Sequence, residues 1–399
     1  MLPFRLSAPS SRACLLDPQG RPFFSLGVVH AGAYPEGDGQ AFFDHKYAGD
    51  WSFLAAKIAA DLRDWGFNSA GYHSPPALLD HLPYFQDCYP AAISYWMGAP
   101  AYPDPFDPAW QRAVEDLLER TCAPVRDHPN LVGYYWTDTP RWDLDRARRL
   151  VSTDWVSAIR ALPAAAPGKQ AYVDYLLEAA FEAGPVYRAA LGGTALNRDN
   201  LLESTFARLD LSHPAVMRHD RGFLRRIARQ YYAVAHMATR KADPDHLIFG
   251  DRYLIGDHPP EVLEEAAPFI DVLSVQPYGS AFDRAAFDAL HALTGKPILI
   301  CDHAINFATP AHPHTVWPQA PDEAAAARAY HAYLTAAAQC PYITGYHRCQ
   351  YIDRPIPGTD LLKQGLLQAD ETPYAVLLEQ VRATNRAVAE TFRCTIIEA

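Results

Sequence analysis

Short apolar runs alternate with longer stretches of helical periodicity along this chain, and that alternation constrains its fold more than any other feature. Apolar runs of about four to eight residues predict buried strands, whereas apolar residues spaced three and four apart predict helices. Strands that alternate with helices are typical of a parallel α/β fold. Eight such units fit one (β/α)8 TIM barrel, which can reach about 400 residues with insertions. We therefore predict a single catalytic barrel over residues 1–399.

The units can be placed along the chain, except that the third strand has no sharp pattern. The expected strands are Phe23–His30, Phe67–His73, a segment within Tyr84–Ser94, Leu131–Trp136, His246–Arg252, Val272–Tyr278, Ile298–Cys301 and Ile343–Gln350. The expected helices are Asp50–Trp65, Pro108–Val125, Gly168–Ala183, Arg221–Arg240, Glu323–Gln339 and Pro373–Glu390. A long, irregular insertion after the fourth strand, about residues 142–220, is expected to shape the cleft because barrel enzymes build their sites from βα connections.

Two of these strands end on a carboxylate. Asp138 follows the apolar fourth strand, and Asp302 ends the seventh, so both are expected at the carboxyl face of the barrel. Glycoside cleavage uses one carboxyl group as general acid and a second as nucleophile or base. We predict Asp138 as the acid, its pKa raised by burial against Trp136, and Asp302 as the base or nucleophile. The alternative is structural, with Asp138 capping a loop or helix and Asp302 paired with an arginine.

Further strand-end residues are candidates for holding a sugar. Aromatic rings pack on the C–H faces of sugars, and His, Arg and Gln can bind hydroxyl groups. The predicted substrate-binding residues are His30, Tyr72, His73, Trp136, Asp251, Arg252, Gln276, Tyr278, His303, His347 and Gln350. No HxH or HExxH pair stands at these strand ends, so neither a metal nor an organic cofactor is expected. The sequence also lacks a GxSxG elbow and a glycine-rich phosphate loop, which argues against a serine hydrolase, a kinase or a dinucleotide enzyme.

Charge and cysteine content narrow the choice of partners and location. A formal net charge of −11 disfavours nucleic acid and anionic membranes as partners. Seven scattered cysteines without paired spacing are typical of reduced thiols. The first residues lack the apolar core of a secretory signal, so we expect a cytoplasmic protein or one whose leader has been removed. The expected partner is an oligosaccharide or glycoside substrate, and a homo-oligomer is possible.

Six segments carry a further pattern. They are Asp61–Ser69, Asp127–Tyr135, Gly168–Leu176, Asp243–Arg252, Ser274–Tyr278 and Gly345–Asp353. In this order, within about residues 20–390, the chain resembles the β-agarase-like barrels of the large retaining glycoside hydrolase clan. The resemblance implies a (β/α)8 fold and a carbohydrate-active relative.

The resemblance also exposes two departures. Such families end the fourth strand on Asn-Glu, with Glu as acid/base, and the seventh strand on a Glu nucleophile. Here Asp138 takes the Asn position, Thr139 takes the acid position, and Asp302 stands where the second Glu is expected. Neither agarase activity nor the retaining mechanism is therefore carried over. Because Asp is one methylene shorter than Glu, the wider gap slightly favours inversion.

These observations predict an exo-acting glycoside hydrolase that cleaves an oligosaccharide or small glycoside with an Asp/Asp pair. Three alternatives stay open. The chain could be a non-catalytic glycan-binding barrel, a metal-dependent sugar isomerase or lyase, or a transglycosylase that uses the same site.

Overall fold

The computed structural model describes residues 2–7, 12–32, 38–178, 183–256 and 258–397. Eight parallel strands close into a barrel, each paired with the next along the chain, and the eighth pairs with the first. They are β1 Ser25–Val29, β2 Ser69–Ala70, β3 Tyr84–Asp87, β4 Leu131–Asp138, β5 Leu247–Leu254, β6 Leu273–Gln276, β7 Ile298–His303 and β8 Ile343–Cys349. The (β/α)8 prediction is confirmed, and every predicted strand overlaps an observed one.

Helices surround the barrel. They are α1 Asp38–Tyr47, α2 Trp51–Asp64, α3 Pro108–Cys122, α4 Leu144–Val151, α5 Trp155–Arg160, α6 Pro167–Glu178, α7 Gly184–Ala190, α8 Arg198–Glu203, α9 Pro214–Ala242, α10 Pro260–Ala266, α11 Arg284–Thr294, α12 Glu323–Gln339 and α13 Ala375–Ile397. Aspartates fix two of the predicted helix starts, because Asp107 accepts from the amide of Ala109 and Asp322 accepts from that of Ala325. Helix α9 begins seven residues before its predicted start because His213 caps it ahead of Pro214. The predicted helix Gly168–Ala183 is observed over Pro167–Glu178, and the rest of the prediction falls on residues 179–182, which lie outside the described ranges.

Small sheets lie beyond the barrel strands. A three-stranded antiparallel sheet, Arg5–Leu6, Leu15–Leu16 and Pro22–Phe23, precedes β1, and its apolar side chains join the cluster inside the barrel. After β8, Arg354–Pro355 pairs antiparallel with Leu361–Lys363, and we call this pair the β8 hairpin. The β8 hairpin also pairs with His314–Thr315 from the segment after β7.

Close packing inside the barrel explains one of its glycines. His347 on β8 points into the barrel, where its Nε2 lies 2.9 Å from the Ser25 hydroxyl. A Cβ atom on Gly27 would stand 2.6 Å from the ring of His347, so the ring occupies the space that a side chain on β1 would need. The barrel centre is therefore a filled core, and enzymes with this fold keep their sites at its carboxyl end.

The insertion between β4 and α9 docks on the outer side of the barrel. Arg148 on α4 binds the buried Asp154 at 2.6 Å and the buried Asp220 of α9 at 2.8 Å, and Arg160 on α5 also binds Asp220. These buried ion pairs hold the insertion against α9, which in turn packs on α3 and α10. In the described residues no helix combines the length and apolar character that a membrane span requires.

Candidate active site

A cavity of about 560 Å³ opens at the carboxyl ends of the barrel strands. The strand-end residues that line it are His30, Tyr72, His73, Asp138, Gln276, Tyr278 and Asp302, all singled out from the sequence. Its walls come from three loops. The loop after β3 contributes Tyr89, Ser94, Trp96 and Met97, the segment after β7 contributes Val316 and Trp317, and the β8 hairpin contributes Arg354, Ile356 and Lys363. None of the described residues of the 142–220 insertion lines this cavity, and its predicted role in shaping the cleft stays a prediction.

Arg252 joins the two predicted catalytic aspartates beneath the cavity. Its Nη1 donates to Oδ1 of Asp138 at 2.8 Å, and its Nη2 donates to Oδ2 of Asp302 at 2.9 Å. The guanidinium is fully buried and lies 3.6 Å from the ring centroid of Tyr72, a cation–π contact. One cation therefore holds two carboxylates from β4 and β7 in a fixed relation, as a planar fork of donors can.

Asp138 is held by two donors on the same oxygen. Its Oδ1 also accepts a hydrogen bond from Nε2 of Gln276 at 2.7 Å. Burial raises the pKa of Asp138, the charge of Arg252 opposes that shift, and the charge of Asp302 reinforces it. The net direction is upward, so this carboxyl group holds a proton more readily than an exposed aspartate does.

Trp136, which was expected to bury Asp138, packs toward the helices instead of lining the cavity. Its indole nitrogen donates to Thr239 on α9 at 3.2 Å, and its ring stacks near Tyr232, so it lies between barrel and helices. A register shift between Tyr135 and Asp138 breaks the alternation of β4. As a result, Asp138 lines the cavity although Trp136, two residues earlier, packs toward α9.

Asp302 keeps one carboxylate oxygen without a partner. Its Oδ1 is buried and makes no hydrogen bond of good geometry, although Tyr278 and Cys349 lie beside it. Burial, together with the charge of Asp302, raises the pKa of Cys349 to about 12 and raises that of Tyr278 as well. A buried acceptor without a donor, at the edge of a cavity, is available to a ligand or a water molecule.

One set of possible metal ligands lies here. Atoms of His30, Asp302 and Cys349 lie within 4.8 Å of one another. The raised pKa of Cys349 keeps its thiol protonated, and metals bind the thiolate. Burial and then the charges of Lys363, His73 and Arg252 lower the pKa of His30. This donor set is neutral apart from Asp302 and stands among cations, so its chemistry suits a divalent ion poorly.

The rim of the cavity contains linked aromatic and imidazole groups. The hydroxyl oxygen of Tyr89 lies 3.0 Å from Nε2 of His73 and also contacts the hydroxyl of Tyr72. Burial and the charge of Arg252 lower the pKa of His73 to about 4, so the ring is neutral at pH 7. Opposite, Tyr278 and Trp317 stack with ring centroids 3.6 Å apart. Such rings offer C–H-binding faces, and neutral imidazoles can donate to or accept from hydroxyl groups.

Asp87 at the end of β3 was not identified from the sequence. Its Oδ2 accepts from the amide of His73 at 3.3 Å, and its buried Oδ1 has no partner. Burial, with Arg252 opposing, raises the pKa of Asp87 to about 7. The segment carried a usable signal, since Tyr84–Asp87 is a short aromatic run that ends on an acid, as β4 and β7 do.

Backbone strain is concentrated around this cavity. Among the described residues, nine other than glycine have a positive φ angle, and five of these nine lie at the strand ends and the adjoining β3 loop. They are His30, His73, Tyr89, Thr139 and Tyr278. Each such residue costs of order 1–3 kcal/mol and persists only where the surrounding structure imposes it. The clustering therefore supports a functional role for this end of the barrel.

Six residues predicted to bind substrate do not line the cavity, and one of them, Arg252, lies beneath it between the two aspartates. Trp136 faces the helices, as described above. Asp251 also points outward, where it accepts from the amide of Thr137 at 2.9 Å and from the hydroxyl of Tyr232 at 2.8 Å. The positive φ of Gly250 shifts the register of β5, so Asp251 faces outward and Arg252 inward.

The other three are held within the protein. His303 lies between the Tyr346 hydroxyl and the carbonyl of Gly279, at 2.9 and 2.7 Å. His347 fills the barrel core next to Gly27. Gln350 donates to the carbonyls of Ile352 and Lys363, each at 2.8 Å, so it holds the β8 hairpin. These are structural roles, because the polar atoms that could bind hydroxyl groups already have partners or lie outside the cavity.

Comparison with known proteins supports the same fold. No protein-family model matches the chain. It is 24% identical over 384 residues to β-agarase B of Vibrio sp. (strain JT0107) and 24% identical over 401 residues to β-agarase A of that strain. Both alignments cover 90% of this chain, which spans only 40% and 39% of the two agarases.

A solved exo-β-agarase structure superposes with a TM-score of 0.78 at 19% identity. The match covers 98% of this chain and 65% of that protein. The sequence resemblance to β-agarases is thus confirmed, and the structural likeness shows a shared barrel.

Proposed function

We propose that this β-agarase-like chain is a glycoside hydrolase that cleaves an oligosaccharide or small glycoside from its end. The observation that carries the proposal is the placement of Asp138 and Asp302, on β4 and β7, at one cavity and on one buried arginine. Two carboxylates across a sugar-sized cavity are what glycoside cleavage requires. The similarity to two β-agarases supports a carbohydrate substrate.

Asp138 is proposed as the general acid and Asp302 as the nucleophile or base. Asp138 has a raised pKa, and Arg252 and Gln276 bind only its Oδ1, so a proton on Oδ2 can reach the leaving oxygen. Asp302 presents its unpartnered Oδ1 to the anomeric carbon or to a water molecule. The bond from the anomeric carbon to the leaving oxygen breaks, and the proton of Asp138 passes to that oxygen. With Asp302 as base, a water molecule forms the new bond on the opposite face and gives its proton to Asp302. With Asp302 as nucleophile, its oxygen forms that bond, and a water molecule then releases the sugar and returns a proton to Asp138.

The cavity walls support binding from the end of a chain. A volume of about 560 Å³ lies within the range of about 300–1,000 Å³ typical of small-ligand sites. Trp96 and Trp317 meet edge to face across the opening, with centroids 6.0 Å apart. The stacked pair of Tyr278 and Trp317 would carry the sugar ring, and His30 and His73 would bind its hydroxyl groups. An extended polymer would need an open groove instead.

The test compares Asp138→Asn and Asp302→Asn on a panel of aryl glycosides and galactose-containing oligosaccharides, agarose fragments included. Each change is nearly isosteric, so we expect kcat to fall by about 10²–10⁴-fold. Asp138→Asn should lose least on dinitrophenyl glycosides, because that leaving group needs no proton. Asp251→Asn is the matched control, since Asp251 is also a buried strand-end aspartate but faces away from the cavity. Near-wild-type turnover of either catalytic variant would remove that residue from the reaction.

A non-catalytic glycan-binding barrel is the second candidate. It is favoured by Thr139, which stands at the acid position of the resembling families, and by the ion pairs that Arg252 forms with both aspartates. Binding of a glycan without turnover of any panel member, and with equal affinity in Asp302→Asn, would favour it.

A further inference from the structure

Two cations of the β8 hairpin face the same cavity. Arg354 and Lys363 are direct partners across the antiparallel pair, and both line the cavity. Directly opposed residues on one face have Cβ atoms about 4.5–5.5 Å apart, and like charges at that distance destabilise the pair. The hairpin therefore carries an unfavourable charge pair at the wall of the site.

The nearby acids do not relieve this pair. Among the described residues, neither Arg354 nor Lys363 has a carboxylate within salt-bridge distance or a side-chain hydrogen bond. The carboxylate of Asp353 accepts hydrogen bonds from the amide of Gly365 at 2.7 Å and from the hydroxyl of Tyr374 at 2.6 Å. Asp360 at the turn lies 3.5 Å from His314 instead. The two cations are left to face the cavity.

The charges of Arg354 and Lys363 act on two histidines that line the cavity. After burial, Lys363 is the first of the charges that lower the pKa of His30, and Arg354 contributes as well. Both also act on His73, after burial and Arg252. Arg354 and Lys363 line the cavity together with Asp138 and Asp302, and those two carboxylates already share Arg252 beneath it. Although the chain carries a net charge of −11, these two cations therefore face the cavity without a carboxylate partner.

We propose that the sugar bound in this cavity carries an anionic substituent, a carboxylate or a sulfate ester, and that Arg354 and Lys363 bind it. The inference rests on the proposed function, because the anion is taken to be part of the glycoside. A guanidinium binds a carboxylate or sulfate through paired donors, and the ammonium adds a point charge. An anion between the two cations converts their repulsion into two attractions. The dimensions of the cavity limit that anion to a small molecule or a chain end.

The test measures equilibrium binding by calorimetry in Asp302→Asn protein, so that turnover does not interfere. The probes are galacturonate, glucuronate, galactose 6-sulfate and neutral galactose. We expect at least one anionic sugar to bind 10-fold or more tightly than galactose, with affinity that falls as salt rises. A preference for the uronates identifies a carboxylate, and a preference for galactose 6-sulfate identifies a sulfate ester.

Substitution of each cation tests whether Arg354 and Lys363 are the residues that bind the anionic group. Arg354→Gln and Lys363→Gln should each weaken binding of the anionic sugar by about 10-fold and leave galactose binding unchanged. Lys296→Gln is the control, because Lys296 stands before β7 at the opposite end of the barrel and also lacks a carboxylate partner among the described residues. Equal binding of neutral and anionic sugars, or anionic binding unchanged in both variants, overturns the inference.

The two proposals can fail separately. Cleavage of neutral glycosides at rates that Arg354→Gln and Lys363→Gln do not alter would retain the hydrolase and discard the anionic substrate. Anion-selective binding that depends on both cations, without cleavage of any uronic or sulfated glycoside, would retain the recognition and discard the hydrolase.

Discussion

Replacement of Arg252 by methionine tests the central feature of the site. The side chain is fully buried and binds Asp138 and Asp302 at 2.8 and 2.9 Å. Removal of one partner from a buried ion pair costs about 3–5 kcal/mol, because the remaining charge is left without compensation. Here two carboxylates lose their partner together. We therefore expect Arg252→Met to lose at least about 3–5 kcal/mol of unfolding free energy at pH 7.

The assay is urea unfolding followed by tryptophan fluorescence and circular dichroism at pH 5 and pH 8. Without Arg252 the pKa of the buried Asp138 should rise further, and its protonation then relieves part of the unpaired charge. A raised carboxyl pKa adds stability that is present at low pH and lost as the pH rises through it. The cost of Arg252→Met should accordingly be smaller at pH 5 than at pH 8.

Two controls make the result specific. Arg240→Met removes a half-exposed arginine that binds Asp271 at 2.6 Å, and such a pair is worth about 0–1 kcal/mol. Adding Asp138→Asn and Asp302→Asn to Arg252→Met should recover a substantial part of the loss, because no buried charge remains. A loss below about 1 kcal/mol that is equal at both pH values would refute the argument that Arg252 compensates two buried carboxylates.

Three further predictions follow from single contacts. Asp87→Asn should become more stable relative to wild type by about 2–4 kcal/mol between pH 4 and pH 8, because the pKa of Asp87 is about 7 against a usual 3.8; a pH-independent difference in urea unfolding would contradict this. Gly27→Ala should cost about 1–3 kcal/mol by overpacking against His347, and His347→Ala in the same protein should recover part of it; no recovery in thermal unfolding would show that the clash lies elsewhere. Trp317→Ala should weaken glycoside binding about 10-fold with little change in kcat, since the ring stacks on Tyr278 outside the reacting groups; a loss confined to kcat would contradict the stacking role.

The barrel could be predicted because its signals are local. Each strand is an apolar run bounded by polar residues, and helix starts such as Asp107–Pro108 and Asp322 are determined by residues adjacent in sequence. The least regular unit was the third, where β3 is only four residues long. That uncertainty had a consequence for the site, because Asp87 ends this strand and was therefore not considered with the other strand-end acids.

Which strand-end residue faces the cavity could not be predicted from the run alone. Simple alternation would place Trp136 and Asp138 on one face of β4, but the register shift between Tyr135 and Asp138 separates them. The same holds on β5, where the positive φ of Gly250 precedes the outward Asp251 and the inward Arg252. A bulge depends on the pairing of two strands, and a sequence pattern does not contain that pairing.

The residues that form the cavity walls could not be predicted, for a different physical reason. The length of the 142–220 insertion suggested a cover for the barrel mouth, but length does not fix direction. Buried pairs of Arg148 and Arg160 with Asp220 direct this segment to the side of α9. The walls come instead from shorter loops, and the β8 hairpin brings the cations Arg354 and Lys363. From the sequence alone, a charged loop residue that lines a site cannot be distinguished from one that is exposed to solvent.

The charge balance of the site connects the proposed acid with the proposed substrate. Arg252 with two ionised aspartates carries a net charge of −1 in a buried setting, and one retained proton makes the group neutral. Burial favours the neutral state, and it raises the pKa of Asp138. A general acid has to hold its proton until the leaving oxygen accepts it; burial and the charge of Asp302 favour the protonated form of Asp138, and the charge of Arg252 opposes it. An anionic sugar would raise the cost of ionised aspartates further, and Arg354 and Lys363 on the opposite wall supply the compensating charge.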